Sequence, residues 1–161
     1  MLKTAALFLC SLCLPASAQS PSAQSPSIDV PAGARVLLAA KGMGVQIYAC
    51  TGGQWTLKAP DAKLLDSGGE QIGTHFAGPT WKLTDGSEVK GKAIANQPSP
   101  DAGSVAWLLL EAVPGSGQGK LAAVAYIRRT NTHGGAAPKA ACTGDTLSVP
   151  YSADYTFYTA K

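Results

Sequence analysis

Acid–base or metal chemistry in this chain would depend on its two histidines, His75 and His133. They are far apart in sequence and do not have the spacing that places two imidazoles on one face of a strand or helix. A metal site of two histidines and a carboxylate would therefore need neighbours that no local pattern supplies. The sequence predicts no metal site and no cofactor.

His75 is the best candidate for a catalytic residue, as a general base working with a carboxylate such as Asp85 or Glu111. Glu111 stands in "WLLLEAV", and burial in such an apolar strand raises the pKa of an unpaired carboxylate. Two other interpretations of Glu111 are a pair with Arg128 or Arg129 on a neighbouring strand and a place at an exposed strand end. The chain contains no G-x-S-x-G motif and no complete phosphate-binding loop. A hydrolase that uses His75 is therefore one hypothesis, with its other catalytic residues unknown.

A second hypothesis is a non-enzymatic binding or structural module, and the sequence favours it. Polar residues and a glycine pair follow an apolar strand in "RRTNTHGGAAP", where they could form the rim of a site or an ordinary turn. The tryptophans and tyrosines could form a core or a stacking platform for a sugar or another flat ligand. The partner would be a glycan, a small molecule or a component of the cell envelope. The candidate ligand-binding residues are His75, Trp81, Arg128, Asn131, Thr132, Gly134 and Gly135.

The first residues, "MLKTAALFLCSLCLPASAQS", have the pattern of a secretory signal peptide. A lysine precedes a short apolar run, and Ala16-Ser17-Ala18 predicts cleavage after Ala18. A membrane anchor is the alternative, but the run is short for a bilayer span. We expect a signal peptide at residues 1–18, a flexible tether at 19–29 and a β domain at 30–161. The mature protein would be secreted or periplasmic, with no membrane span.

Export changes what the cysteines predict. Cys10 and Cys13 would leave with the signal peptide, so that Cys50 and Cys142 remain as one pair in an oxidising compartment. We predict a disulfide between them, the alternative being two free buried thiols. The formal net charge of +3 is too weak to indicate a nucleic-acid partner.

The elements that must position these residues are strands. Short apolar stretches alternate with Gly, Pro, Asn and Asp, and no helical period is sustained. This predicts an all-β, single-domain antiparallel sandwich or closed barrel. "PDAKLLD" is compatible with one helical turn, Asp85-Gly86 predicts a type I′ hairpin turn, and His75 falls in the loop before that hairpin. The predicted strands cover residues 35–40, 45–50, 54–58, 80–84, 88–95, 105–113, 121–131 and 151–159.

Taken in order, "KGMGVQIYAC", "GTHFAGPTWKLTDGSEVKG", "VAWLLLEAV", "YIRRTNTHGGAAP" and "YSADYTFY" resemble an exported family known as domain of unknown function 3455. The resemblance covers about residues 30–158. It implies a secreted, mostly β protein with no established activity. The resemblance also marks two hallmark stretches, matched here by Gly73, His75, Gly78, Pro79 and Trp81 and by Thr132, Gly134, Gly135 and Pro138. His133 falls at a variable position, which argues against a mechanism that needs both histidines.

Overall fold

The computed structural model describes residues 27–161, whose eight antiparallel strands form one sheet that closes into a barrel. Each strand pairs with the next one in the chain, and β1 pairs with β8 to close the ring. The all-β prediction is confirmed, and of the two architectures left open the barrel is the one adopted. The strands are β1 (Arg35–Thr51), β2 (Gln54–Leu65), β3 (Gln71–Phe76), β4 (Thr80–Leu83), β5 (Glu88–Gln97), β6 (Trp107–Ala112), β7 (Val124–Gly134) and β8 (Thr146–Thr159).

Three predictions about the bounds and types of the strands were wrong. The two strands predicted at 35–40 and 45–50 are one continuous β1, because Gly42 and Gly44 face inward without breaking it. "PDAKLLD" is the second half of β2 and not a helical turn. His75 lies on β3, in a stretch predicted to be a loop.

The turns explain how these strands reverse. Gly52 and Gly53 both have positive φ in the short β1–β2 connection. At the β4–β5 turn, Gly86 has a φ of 87°, whereas Asp85 is not among the positive-φ residues. The predicted position of this turn was right and its type was wrong, since type I′ needs positive φ at both central residues. The amide of Gly86 instead bonds to the carbonyl of Leu83 at 3.0 Å, and the carboxylate of Asp85 accepts from the amide of Ser87.

Alternate residues of each strand point into the barrel and form its core. We call the end that carries the β1–β2 turn the upper end. The lower end is closed by a 3₁₀ turn (Gly119–Leu121) whose Leu121 is buried in the core. The other fully buried large apolar side chains of this core are Leu64, Trp81, Val89, Ile127, Tyr155 and Phe157.

The segment before β1 packs on the outside of the barrel. Ile28 is buried against Ala95 and Leu109, with Trp107 and Tyr126 beside them. Ile28 thus packs on the barrel although it falls in the stretch predicted as a flexible tether at 19–29. The predicted signal peptide and its cleavage after Ala18 lie outside the described residues. Between residues 27 and 161 the structure contains no helix long and apolar enough to cross a membrane.

The barrel wall is lower at the β3–β4 hairpin than at the strands on either side. The β3–β4 hairpin is short and turns at Ala77-Gly78-Pro79, while β2 and β5 continue upward past it. β2 pairs with β3 only between Ala62 and Leu65, so its upper half from Gln54 to Asp61 has no neighbouring strand on this side within residues 27–161. β5 likewise extends to Gln97 beyond its pairing with β4. The result is a side opening above the hairpin, which we call the notch.

The predicted disulfide between Cys50 and Cys142 is confirmed, with a Cα–Cα distance of 5.7 Å. It joins the upper end of β1 to the connection between β7 and β8. Two backbone hydrogen bonds flank it, from Cys50 to Asp145 and from Cys142 to Gly53, each 3.0 Å long. The bridge therefore fixes the long upper loop to the barrel rim.

Replacing both cysteines by alanine should lower the free energy of unfolding by about 4–5 kcal/mol, because the bridge closes a long loop in the unfolded chain. Denaturant unfolding of the variant and of the oxidised protein measures this difference. Reductant should shift the unfolding midpoint of the wild type and leave that of the Cys50→Ala/Cys142→Ala variant unchanged. Equal stability of the two proteins would show that the bridge has no structural role.

Candidate functional site

The centre of the barrel holds an aromatic cluster built on His75. Its imidazole stacks on the indole of Trp81, with ring centroids 4.4 Å apart and planes 8° from parallel. Tyr155 meets both rings edge-on, at 5.1 Å from His75 and 5.6 Å from Trp81. The contact follows from strand register, since His75 on β3 is directly opposite Trp81 on β4. Both side chains are almost completely buried.

The protonation state of His75 follows from its hydrogen bond. Its Nδ1 lies 2.8 Å from the carbonyl oxygen of Thr80, and a carbonyl only accepts, so Nδ1 carries the proton. Burial, together with the positive charge of Arg129, lowers the pKa of His75 to about 4, although the bond to Thr80 acts in the opposite direction. His75 is therefore neutral near pH 7. Its Nε2 is a free acceptor, with no hydrogen-bond partner within residues 27–161.

A cavity of about 310 Å³ lies above this cluster inside the barrel. Its floor includes His75, Trp81 and Tyr155, and its walls are mostly apolar. The polar side chains that reach it from other strands are Gln46, Lys58 and Arg129. The remaining lining residues are Leu57, Ala59, Pro60, Gly78, Pro79, Ala93, Leu108 and Leu110.

The cavity opens through the notch. Its lining includes Gly78 and Pro79 of the short hairpin. It also includes residues 57–60 of β2, which pair with β1 on one side and border the notch on the other. Leu57 lines the cavity and is nevertheless 54% exposed, because within residues 27–161 it pairs with Tyr48 on β1 but with no strand on the notch side. Ile94, on β5 at the other side of the notch, is also partly exposed. The opening therefore has an apolar edge, which suits a ligand with an apolar body.

Arg129, and not Arg128, is the arginine of this site. β7 alternates, so that Ile127 and Arg129 face inward while Arg128 pairs with Leu109 and Thr156 on the outer side. Nε and Nη2 of Arg129 donate to the carbonyl oxygen of Ala106, at 3.0 and 2.7 Å. Arg128 does not line the cavity.

The remaining candidates of the "RRTNTHGGAAP" stretch lie on β7 or just after it and do not reach the cavity. Asn131 has a φ of 47° and donates from its side chain to Asp154 on the outer surface. Thr132 is buried and donates from its hydroxyl to the carbonyl of Val105 at 2.6 Å. Gly134 accepts from the amide of Val105 and donates to the hydroxyl of Ser104. Thr132 and Gly134 thus fasten the β5–β6 loop to β7, whereas Asn131 links β7 to β8.

Gly135 has a packing role at the upper end. Its φ is +84°, and a Cβ there would lie 2.7 Å from the Cβ of Tyr151 and 3.2 Å from the Cγ of Gln46. Its carbonyl accepts a hydrogen bond from the hydroxyl of Tyr48. Only glycine fits this conformation and space.

The structure does not bring His75 together with either proposed catalytic carboxylate. Asp85 pairs with Lys120 at the lower end, 2.9 Å away, and hydrogen bonds from Lys120 and Ser87 lower its pKa to about 2. Glu111 is exposed on the outer face of β6, opposite Lys92, and forms no ion pair with either arginine within residues 27–161. The described residues also contain no cluster of three or more His, Cys, Asp or Glu side chains placed to hold a metal ion.

Sequence reasoning found His75 and Trp81 but missed most of their partners. The alternation in "YSADYTFY" already places Tyr155 on one face with Tyr151 and Phe157. It does not say which other strand that face meets. Arg129 follows Ile127 at a spacing of two and so shares its inward face, which is a signal that the sequence contains. Gln46 and Lys58 carry no such signal, because the first faces inward among apolar neighbours and the second stands at a register shift.

We expect the buried His75 to make the protein sensitive to acid. The unfolded chain binds a proton below its usual pKa of 6.5, whereas folded His75 stays neutral down to about pH 4. Stability should therefore rise with pH across this window and be lost as the pH falls through it. At about 1.36 kcal/mol per pKa unit the contribution is roughly 3 kcal/mol.

Denaturant unfolding at pH 7 and pH 4 measures this contribution as the difference between the two free energies of unfolding. His75→Phe should reduce the difference by roughly 3 kcal/mol, whatever its effect at pH 7. The control is His133→Gln, since His133 is exposed and pairs only with Asp101 in its surroundings. A pH dependence that is the same in His75→Phe and wild type would contradict the assignment.

Residues 31–159 match the model of a protein family described as "Protein of unknown function (DUF3455)". The match begins at Pro31 and ends with the last residue of β8, so that it covers the whole barrel. No curated protein and no solved structure matches the chain. Because the match covers most of its length, the chain belongs to this family of unknown function.

Proposed function

We propose that this protein binds a small organic molecule in the barrel cavity and works as a non-catalytic binding protein outside the cytoplasm. The observation that carries the proposal is the cavity itself, about 310 Å³ in volume, mostly apolar, and reached through the notch. Ligand sites in proteins typically have this combination of an apolar wall and a few placed polar groups.

The size of the cavity limits the ligand. A cavity of about 150 Å³ admits benzene, so a volume of about 310 Å³ suits about a dozen non-hydrogen atoms. That is a ring with a short side chain, or a short alkyl chain with a head group. A glycan fits less well, because Trp81 is stacked on His75 inside the barrel and offers no exposed platform.

The alternative function, a hydrolase with His75 as general base, needs a carboxylate and a nucleophile beside the imidazole. His75 Nε2 is free to accept a proton, but no carboxylate is hydrogen-bonded to the ring anywhere in residues 27–161. The hydroxyl of Thr80, whose carbonyl accepts the proton of Nδ1, donates to the carbonyl of Ala77 at 2.8 Å. We therefore assign His75 to ligand binding and not to proton transfer.

Export is part of the proposal. The Cys50–Cys142 bridge is typical of oxidising compartments outside the cytoplasm. The apolar run of the first residues and the Ala16-Ser17-Ala18 pattern support a signal peptide. The periplasm and the extracellular space both suit these observations.

The test compares ligand binding by the wild type, whose cavity is open, with binding by a variant whose cavity is filled by a side chain. Aryl and alkyl compounds of about a dozen non-hydrogen atoms, neutral and charged, are screened against the purified protein by ligand-observed NMR and by thermal shift. Ala93→Phe places a ring in the cavity from β5, where Ala93 is a lining residue at an exposed position, so that the fold tolerates the change. The control, Ala39→Phe, adds the same ring to an exposed site on β1.

We expect at least one class of compound to bind the wild type and Ala39→Phe, and binding to Ala93→Phe to be weakened at least tenfold. A screen in which no class binds the wild type would reject the proposal. So would a compound whose affinity for Ala93→Phe equals that for Ala39→Phe, since such a compound binds elsewhere.

A further inference from the structure

Arg129 is the charge inside this barrel that has no counter-ion. Its guanidinium lines the cavity and donates to the carbonyl of Ala106, and the hydroxyl of Tyr155 lies beside it. No carboxylate within residues 27–161 lies within ion-pair distance of it. Because Nε and Nη2 bond to Ala106, Nη1 and the second hydrogen of Nη2 are free of that carbonyl.

The charge of Arg129 acts on several interior groups. Burial is the main cause that raises the pKa values of the hydroxyls of Tyr48, Tyr151 and Tyr155, and Arg129 opposes each increase. The same charge adds to the lowering of the pKa of His75. Arg129 also lines the same cavity as His75 and Tyr155.

The charges at the cavity all have one sign. Its lining contains two cationic side chains, Arg129 in the interior and Lys58 at the notch, and no carboxylate. His75 is neutral and does not offset them. Arg129 is half-buried among mostly apolar lining residues, where an unpaired charge is unfavourable, and an anion that enters the cavity offsets this cost.

The guanidinium of Arg129 and the apolar walls of the cavity favour one class of anion over others. Guanidinium groups bind carboxylates through two parallel hydrogen bonds. A single interior arginine and apolar walls of Pro60, Leu108 and Leu110 suit one negative charge on an apolar body. A free inorganic anion has no apolar body and would make no apolar contacts with those walls.

We infer that the ligand of this cavity is a small organic monocarboxylate, whose carboxylate binds Arg129 and whose aromatic or short aliphatic body fills the apolar space above Trp81. The inference rests on the proposed function and adds the class of ligand to it. Lys58 attracts the anion at the notch, and Arg129 holds it inside.

The test compares three ligands that share one body: 3-phenylpropanoate, the neutral 3-phenylpropanamide and the 3-phenylpropylammonium cation. Isothermal titration calorimetry at pH 7.5 and low salt gives their affinities for the full mature protein with its disulfide intact. The carboxylate is fully ionised and the amine protonated at this pH. We expect the carboxylate to bind at least tenfold more tightly than the amide, and the cation not to bind.

Variants of Arg129 and Lys58 show which side chain causes the preference for a carboxylate over an amide. Arg129→Gln should weaken carboxylate binding at least tenfold and change amide binding less than threefold. Arg129→Lys keeps the charge and should retain a preference for the carboxylate, while Lys58→Gln should lower its affinity only two- to threefold. Thermal unfolding shows whether each variant folds. If Arg129→Gln does not, the comparison of the three ligands on the wild type decides alone.

The outcomes separate the two claims. Equal affinities for carboxylate and amide, or a carboxylate preference that survives Arg129→Gln, would overturn the inference and leave the cavity a binding site. If no compound of any charge binds, in this series or in the wider screen, the proposed function falls and the inference falls with it.

Discussion

The structure depends on the pairing of β1 with β8, which closes the sheet on itself. The pairing runs from Arg35 and Thr159 at one end to Ala49 and Thr146 at the other. Closure removes both sheet edges and turns the alternating inward face of every strand into one shared interior. It also fixes which side chains meet, since Tyr155 on the last strand reaches His75 and Trp81 only because the ring is closed.

Close packing at the seam requires particular small residues. A Cβ at Gly42 would lie 2.5 Å from the Cε2 of Tyr155, and one at Gly44 would lie 2.1 Å from the carbonyl oxygen of Asp61. The two glycines therefore make room for the tyrosine ring and for the close approach of β2. The cluster of His75, Trp81 and Tyr155 exists because β1 carries no side chain where the ring must lie.

The lower half of the barrel is a packed core, and the upper half is a site. Leu121 closes the lower end, so nothing enters there. At the upper side the β3–β4 hairpin stops short, and the space that two longer strands would have covered opens to solvent. A single loop, Ala77-Gly78-Pro79, thus decides that the interior is accessible. The hydrogen bonds that Thr80 makes to Ala77 and to His75 tie that loop to the imidazole within it.

The sequence by itself determined the class of fold, most of the strands, the disulfide and two of the site residues. Alternation, turn residues and cysteine pairing are local or countable signals, and each can be interpreted without knowing which strands are neighbours. His75 and Trp81 stood out for the same reason, in one short stretch around a Gly-Pro turn. β3 was missed because Gly73 interrupts it and the Ala77-Gly78-Pro79 turn ends it, which leaves only three residues between two turn signals.

Only the tertiary structure decided which residues share the cavity. Arg128 and Arg129 are adjacent in sequence, and their opposite positions depend on the register of β7 between β6 and β8. Glu111 stands in an apolar stretch but lies on the outer face, because it alternates with the inward Leu110 in the register of β6. Register and closure are non-local, so the free charge of Arg129 beside a neutral histidine could not be inferred from the order of the residues alone.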